Sequence, residues 1–146
     1  MAGEAKKAGR ILIVDDDQDA REILQRLLSG EGYECLSADG GQRCLEVARA
    51  EPVDVILLDV MMPDMDGIQV CDELRKDEKL RSIPVILLTA RDDISTRAQG
   101  MERGVSEYLT KPVNKRELFT RVKSQLHSRE LDRQLERTAA NIGKES

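Results

Sequence analysis

Polar side chains follow the short apolar runs of this 146-residue chain. Asp15, Asp16 and Asp17 come after the first run, Asp59 after the third, Thr89 after the fourth and Lys111 after the fifth. If these runs are neighbouring parallel strands, their carboxyl ends lie at one edge of a sheet, which is where ligands bind in open α/β proteins. Carboxylates that crowd together repel one another unless they share a cation. We therefore expect a hard divalent cation at this edge, Mg²⁺ or Mn²⁺, with Lys111 balancing part of the charge.

Carboxylates, a divalent cation, a lysine and a hydroxyl together suit phosphoryl transfer. The Asp59 carboxylate is the candidate nucleophile, because a carboxylate attacks phosphorus to form an acyl phosphate. The cation and Lys111 stabilise charge on the transferred oxygens, and Thr89 offers a hydroxyl donor. Taken singly, each residue has a structural explanation, as a helix cap, a solvated lysine or a strand end. Four strand ends that carry complementary chemistry favour the functional interpretation.

The elements that position these side chains alternate in βα order, which is typical of a doubly wound parallel sheet. The central runs are continuously apolar, as strands covered by helices on both faces are. Between them, apolar residues at three- and four-residue steps predict helices, and Ile94, Ala98 and Met101 mark the apolar face of the fourth. Asn114 and Glu117 predict a capping box at the start of the fifth helix. The predicted strands are Ile11–Val14, Glu34–Ala38, Val55–Leu58, Val85–Leu88 and Tyr108–Thr110.

Composition restricts the class of protein further. The chain is 40% hydrophobic, 35% charged and 2% aromatic, which fits one ordinary globular domain. A net charge of -5 without a basic block argues against direct binding of nucleic acid. The sequence shows neither a bilayer-spanning run nor a signal peptide, so we expect a cytoplasmic protein without membrane contact. The cysteines lack metal-type spacing and predict neither a disulfide framework nor a zinc site, so we expect all three to be small apolar core residues; they are Cys35, Cys44 and Cys71.

Four stretches of the sequence resemble the receiver domain of two-component response regulators. They are Ile11–Asp17, Val55–Gly67, Pro84–Ala90 and Tyr108–Val113, and the resemblance extends from Arg10 to His127. It implies an α/β, flavodoxin-like (βα)5 fold with a five-stranded parallel sheet in the order 2-1-3-4-5. The type that it resembles is the single-domain, chemotaxis-regulator-like receiver, here with a C-terminal helical extension.

The resemblance also implies roles for individual residues. Asp59 is then the phosphoacceptor, and Asp15 and Asp16 hold Mg²⁺ or Mn²⁺ together with Asp59 and the backbone carbonyl of Met61. The residues that contact the phosphoryl group are Thr89, Ala90 and Lys111.

Switching and kinetics follow from the same resemblance. Thr89 shifts on phosphorylation while Tyr108 changes rotamer, and the Lys111–Pro112 peptide bond is cis. Met61 and Arg91 occupy the positions that tune the lifetime of the phosphoryl group. Because Met61 cannot orient an attacking water and Arg91 is able to cover the acyl phosphate, we predict slow autodephosphorylation. The alternative is that both side chains face solvent or a partner.

The implied function is a phosphorylation-activated signalling switch. A sensor histidine kinase or a histidine phosphotransfer protein donates the phosphoryl group, and the face formed by the fourth helix, fifth strand and fifth helix then binds an output protein. A homodimer through that face or through the C-terminal helix is also compatible with the sequence. Such a protein is not an enzyme in the usual sense, since it catalyses only its own phosphorylation and dephosphorylation. A small-molecule aspartyl-phosphate phosphatase is disfavoured by Met61, where that class often has an acid, and a flavin carrier by the scarcity of aromatics.

We divide the chain into three parts. Residues 1–9 are expected to be a mobile leader, residues 10–127 the receiver domain, and residues 128–146 a helical extension or a linker to an output domain outside this chain. Leu131, Leu135, Thr138 and Ile142 repeat in this last part as a loose coiled-coil seam. His127, the one histidine, is interpreted as an exposed helix residue and not as a phosphorelay site.

Overall fold

The five apolar runs form five parallel strands that pair in the order β2-β1-β3-β4-β5. The computed structural model describes residues 9–145, so the leader predicted for residues 1–9 lies almost wholly outside the described residues. The flavodoxin-like prediction is confirmed, with three central strands buried along almost their whole length. The strands are β1 (Arg10–Val14), β2 (Glu34–Ala38), β3 (Val55–Asp59), β4 (Val85–Thr89) and β5 (Glu107–Thr110).

Five helices connect and flank these strands. They are α1 (Gln18–Gly30), α2 (Gly41–Ala50), α3 (Gly67–Lys76), α4 (Ile94–Glu102) and α5 (Lys115–Glu145). Side chains on one face of the sheet pack with α2 and α3, and those on the other face pack with α1 and α5, because successive strand residues point to opposite faces. The two resulting cores bury the central strands, and the polar side chains singled out in the sequence lie at the carboxyl ends of the strands.

Helix caps fix where several of these helices begin. The Asp17 side chain accepts a hydrogen bond from the Asp19 backbone N–H at the start of α1. Asp66 and Gln69 form a reciprocal capping box at the start of α3. Asn114 accepts a hydrogen bond from the backbone N–H of Glu117, which is one half of the predicted capping box, and the reciprocal hydrogen bond to the Glu117 side chain is not formed among the described residues. Asp17, next to the acidic pair of the first strand end, therefore has a structural role.

Helix α4 forms where Ile94, Ala98 and Met101 predicted a helix. All three of these side chains are exposed, so the apolar stripe that they form lies on the solvent side of the helix. The buried residue of α4 is Gly100, where an added Cβ would clash with the Leu87 side chain. A glycine lets the helix backbone approach β4 closely, and this close approach leaves the apolar stripe facing solvent.

The cysteines differ in burial. Cys44 on α2 and Cys71 on α3 are buried in the same core, and burial raises the pKa of both thiols to about 12. Cys35 on β2 is half-buried. Cys44 and Cys71 therefore act as small apolar residues, as predicted, whereas Cys35 retains contact with solvent.

The C-terminal part of α5 is tied to the edge of the sheet opposite the polar strand ends. Arg129 donates to the backbone carbonyl of Ser82 at 2.8 Å, and Arg133 donates to Asp54 at 2.8 Å. Burial alone would raise the pKa of Asp54, but the backbone N–H of Arg10 and the Arg133 guanidinium outweigh burial and lower it. His127 is exposed on α5. Within residues 9–145, no helix combines the length and apolarity that crossing a membrane requires.

Candidate functional site

Three carboxylates meet where β1 and β3 end. Asp15 follows β1 and is buried, Asp59 is the last residue of β3 and is 3% exposed, and Asp16 is exposed. Each offers an oxygen, and these oxygens lie within 4.8 Å of one another. The strand order brings them together, because β1 and β3 are neighbours with residues 14 and 58 in register.

Lys111 approaches these carboxylates from β5. Its ammonium lies 2.6 Å from Oδ1 of Asp59 and 3.8 Å from Oδ2 of Asp15. The Lys111 backbone N–H donates to the Thr89 carbonyl at 2.8 Å, and the Lys111–Pro112 peptide bond is cis. The Lys111 side chain is 41% exposed, so it pairs with a buried carboxylate while it remains in contact with solvent.

Burial dominates the electrostatics of Asp15. Burial raises the pKa of this carboxyl above its ordinary value, and the neighbouring Asp59 raises it further. The Asp17 backbone N–H, which donates to Asp15 at 3.0 Å, and Lys111 lower the pKa without reversing the shift. Carboxylate oxygens within 4.8 Å of one another, two from buried residues and one facing solvent, fit Mg²⁺, which prefers oxygen ligands and retains several waters.

The loop between β3 and α3 passes directly over the end of β3. Met61 lies in this loop two residues after Asp59, and its side chain is 74% exposed. Gly67 donates its N–H to the Val60 carbonyl at 2.9 Å, and a Cβ at this position would lie 2.9 Å from the Val60 Cα. Only glycine permits this close approach, which holds the start of α3 against the backbone of Asp59 and Val60.

Thr89, the last residue of β4, does not join the carboxylate cluster in this arrangement. It is buried, and its hydroxyl accepts a hydrogen bond from Nε of Arg97 at 3.2 Å. Ala90 and Arg91 follow in an exposed loop, and their carbonyls accept from the same guanidinium. Tyr108 of β5 is 40% exposed, with the Arg97 guanidinium 4.8 Å from the centroid of its ring.

The sequence interpretation missed Arg97. This arginine lies on α4 eight residues after Thr89, and one charged residue on an exposed helix carries no signal of such a contact. The turn between β4 and α4 has to be known before the two residues can be placed side by side. Asp15, Asp16, Asp59 and Lys111, in contrast, are brought together where the sequence placed them.

Comparison with known proteins agrees with this geometry. The family model of the response regulator receiver domain matches residues 11–123. Response regulator PleD of Caulobacter vibrioides is 46% identical over 117 residues, which are 80% of this chain and 26% of the relative. The chain thus spans about a quarter of the length of that relative.

Solved structures show the same architecture. A response regulator from Chloroflexus aurantiacus is 37% identical with a TM-score of 0.78, covering 82% of this chain and 98% of that one. The chemotaxis protein CheY4 of Vibrio cholerae is 29% identical with a TM-score of 0.76, covering 81% of this chain and 98% of that one. The shared architecture includes the strand ends at which the polar side chains gather.

Proposed function

This chain belongs to the response regulator receiver domain family, and we propose that within it Asp59 accepts a phosphoryl group from a phosphohistidine. Receiver domains work in two-component signalling, where histidine kinases phosphorylate them and they regulate output; they are not enzymes in the usual sense. The donor is a sensor histidine kinase or a histidine phosphotransfer protein. Because histidine kinases draw on ATP, we place this exchange in the cytoplasm.

The observation that carries the proposal is the buried Asp59 carboxylate with the Lys111 ammonium 2.6 Å away. A carboxylate oxygen forms a bond to phosphorus as the phosphorus–nitrogen bond of the phosphohistidine breaks, and the imidazole, which carries a proton on its other ring nitrogen, leaves as a neutral base. Lys111 is placed to contact the phosphoryl oxygens as their charge changes. The Thr89 hydroxyl and the Ala90 backbone N–H are the further donors that we assign to the phosphoryl group.

The carboxylates of Asp15, Asp16 and Asp59, with the backbone carbonyl of Met61, would hold Mg²⁺ or Mn²⁺ in this site. The bound cation would supply positive charge to the phosphoryl oxygens. The need for it follows from the side chains themselves, since the cluster has three carboxylates near the single ammonium of Lys111.

Output is proposed to pass through the face formed by α4, β5 and α5. Thr89 moves toward the phosphoryl group, and Tyr108 turns from its half-exposed place toward the room that Thr89 leaves. The exposed side chains of Ile94 and Met101 give this face an apolar stripe to which an output protein or a second copy of the chain can bind. A homodimer through the C-terminal helix is the alternative assembly.

We propose that residues 10–127 are the receiver unit and that residues 128–146 extend it as a helix or a linker. The unbroken helix α5 and the contacts of Arg129 and Arg133 with the base of the domain support a continuous extension. Leu131 and Leu135 are exposed on it, as the seam of a helix pair requires.

Intact mass after incubation with acetyl phosphate and Mg²⁺ tests the assignment of Asp59. We expect one added phosphoryl group on the native chain and none on Asp59→Asn or without Mg²⁺. Asp17→Asn is the matched control, because Asp17 is acidic and nearby but caps α1, a role that asparagine also fills. An adduct on Asp59→Asn, or its loss from Asp17→Asn, would contradict the assignment.

The lifetime of the adduct tests the kinetic proposal. The Met61 side chain is exposed beside the site and offers no group that orients a water, and Arg91 is exposed in the next loop. We expect slow decay of the phosphoryl group and about tenfold faster decay in Met61→Asn, whose amide is able to hold the attacking water. A half-life of seconds in the native chain would refute slow autodephosphorylation.

A further inference from the structure

One guanidinium ties together the parts of the domain that are proposed to move on phosphorylation. Arg97 of α4 donates from Nε to the Thr89 hydroxyl at 3.2 Å. Its Nη2 donates to the carbonyls of Ala90 and Arg91 at 2.9 and 2.8 Å and to the Thr110 hydroxyl at 3.2 Å. Nη2 has two hydrogens for these three acceptors, so at least one hydrogen bond is shared. A single side chain thereby links α4 to the β4–α4 loop and to the end of β5.

The same guanidinium lies over the ring of Tyr108, 4.8 Å from its centroid. At this distance a cation and an aromatic ring attract each other, and the ring is held where 40% of the residue is exposed. The contact that fixes the Thr89 hydroxyl therefore also fixes Tyr108 in its outward place.

The direction of these contacts matters. Strand β4, which ends at Thr89, lies between β3 and β5. Asp59 is at the end of β3, on one side of Thr89, whereas Arg97 bonds to Thr110 of β5, on the other side. Within the described residues, the Thr89 hydroxyl bonds to Arg97 and makes no hydrogen bond to Asp59. A movement of Thr89 toward a phosphoryl group on Asp59 therefore draws its hydroxyl away from the guanidinium.

We propose that Arg97 is a positioning residue that holds Thr89 and Tyr108 in their unphosphorylated places and so opposes switching. The inference rests on the proposed function of Asp59, since the opposing pull comes from the phosphoryl group there. Arg97 acts through Thr89 and does not touch Asp59. Switching then exchanges one set of hydrogen bonds for another, so the two arrangements are discrete states whose populations a ligand can shift.

Fluorine NMR on protein labelled with fluorotyrosine tests the hold of Arg97 without any ligand. The chain has two tyrosines, so Tyr108→Phe assigns the signals, and Tyr33, packed on the α1 side of the sheet, serves as an internal reference. In Arg97→Met we expect the Tyr108 signal to move and its solvent isotope shift in D₂O to shrink, because the ring spends more time turned inward. The Tyr33 signal should stay in place.

Beryllofluoride, a phosphoryl analogue, tests the effect on switching. If Arg97→Met raises the population of the switched arrangement about tenfold, the half-saturating beryllofluoride concentration falls about tenfold, since apparent affinity scales with the competent fraction. Arg103→Met is the matched control, because Arg103 lies at the other end of α4, pairs with Asp72 and carries the same charge. We expect no change in either readout for this control.

A second variant separates geometry from charge. Arg97→Lys retains the positive charge, but its compact ammonium cannot reach Thr89 and Thr110 together, so we expect it to resemble Arg97→Met. Wild-type behaviour of Arg97→Lys would overturn the proposal, as would an unchanged Tyr108 signal with unchanged beryllofluoride affinity in Arg97→Met. If the native chain binds no beryllofluoride, the proposed function of Asp59 fails; the Tyr108 isotope shift in the unliganded variants still decides whether Arg97 holds the ring.

Discussion

Lys111→Met is expected to destabilise the unliganded protein by about 2 kcal/mol at neutral pH. Removing one partner of a fully buried ion pair costs roughly 3–5 kcal/mol, whereas an exposed pair contributes about 0–1 kcal/mol. Asp59 is almost fully buried, but the Lys111 side chain is 41% exposed, so solvent screens part of the attraction and the loss lies between these limits. Methionine preserves most of the volume of the side chain, which confines the change to charge.

The loss of unfolding free energy in Lys111→Met should depend on pH in a defined direction. The pKa of Asp15 is already raised by burial and by Asp59, and Lys111 is a cation that lowers it, so the variant raises it further. An acid whose pKa is raised in the folded state contributes stability at low pH that is lost as pH rises through the folded pKa. The deficit of Lys111→Met relative to the native chain should therefore be largest at neutral pH and shrink in acid. Mg²⁺, which replaces the missing charge, should stabilise the variant more than the native chain.

Urea unfolding with and without saturating Mg²⁺, at neutral and acid pH, measures these effects. Lys76→Met is the matched control, because Lys76 pairs with Glu73 at 3.2 Å while 72% of its side chain is exposed. We expect this control to lose less than about 1 kcal/mol, with no response to Mg²⁺. An unfolding free energy of Lys111→Met equal to that of the native chain, or a loss that is the same in acid, would refute the electrostatic reasoning.

Three further outcomes follow from the packing. Asp54→Asn should lower the free energy of unfolding by about 1 kcal/mol at neutral pH. The reason is that a carboxylate with a lowered pKa contributes stability that is present above the unfolded pKa and lost as pH falls through the folded pKa. A deficit that persists in strong acid during urea unfolding would contradict this. Gly67→Ala should lose roughly 1–3 kcal/mol, because the new Cβ meets backbone that cannot yield, and an unchanged thermal midpoint would show that the loop does yield. A thiol reagent at mildly alkaline pH should label Cys35 alone in the folded protein, and mass spectrometry would record this. After unfolding, the reagent should also label Cys44 and Cys71. Rapid labelling of either buried thiol in the folded state would contradict their raised pKa values.

The strands, and the edge of the sheet at which the polar side chains lie, could be predicted from the sequence because both depend on local order along the chain. Continuous apolar runs mark buried parallel strands, and parallel strands place their carboxyl ends at one edge. Asp15, Asp59 and Lys111 directly follow or end such runs, so their meeting needed no knowledge of helix packing. The resemblance to receiver domains supplied the strand order, which local patterns leave open.

The contact between Arg97 and Thr89 and the exposed stripe on α4 were decided only by the tertiary structure. Spacing shows that Ile94, Ala98 and Met101 share a side of a helix, but it does not show whether that side meets the sheet or solvent. In the folded protein Gly100 is the residue of α4 that faces the sheet, in close contact with Leu87. This orientation of α4 carries Arg97 over Thr89 and Tyr108, because the direction of a side chain on a helix follows from how the helix packs.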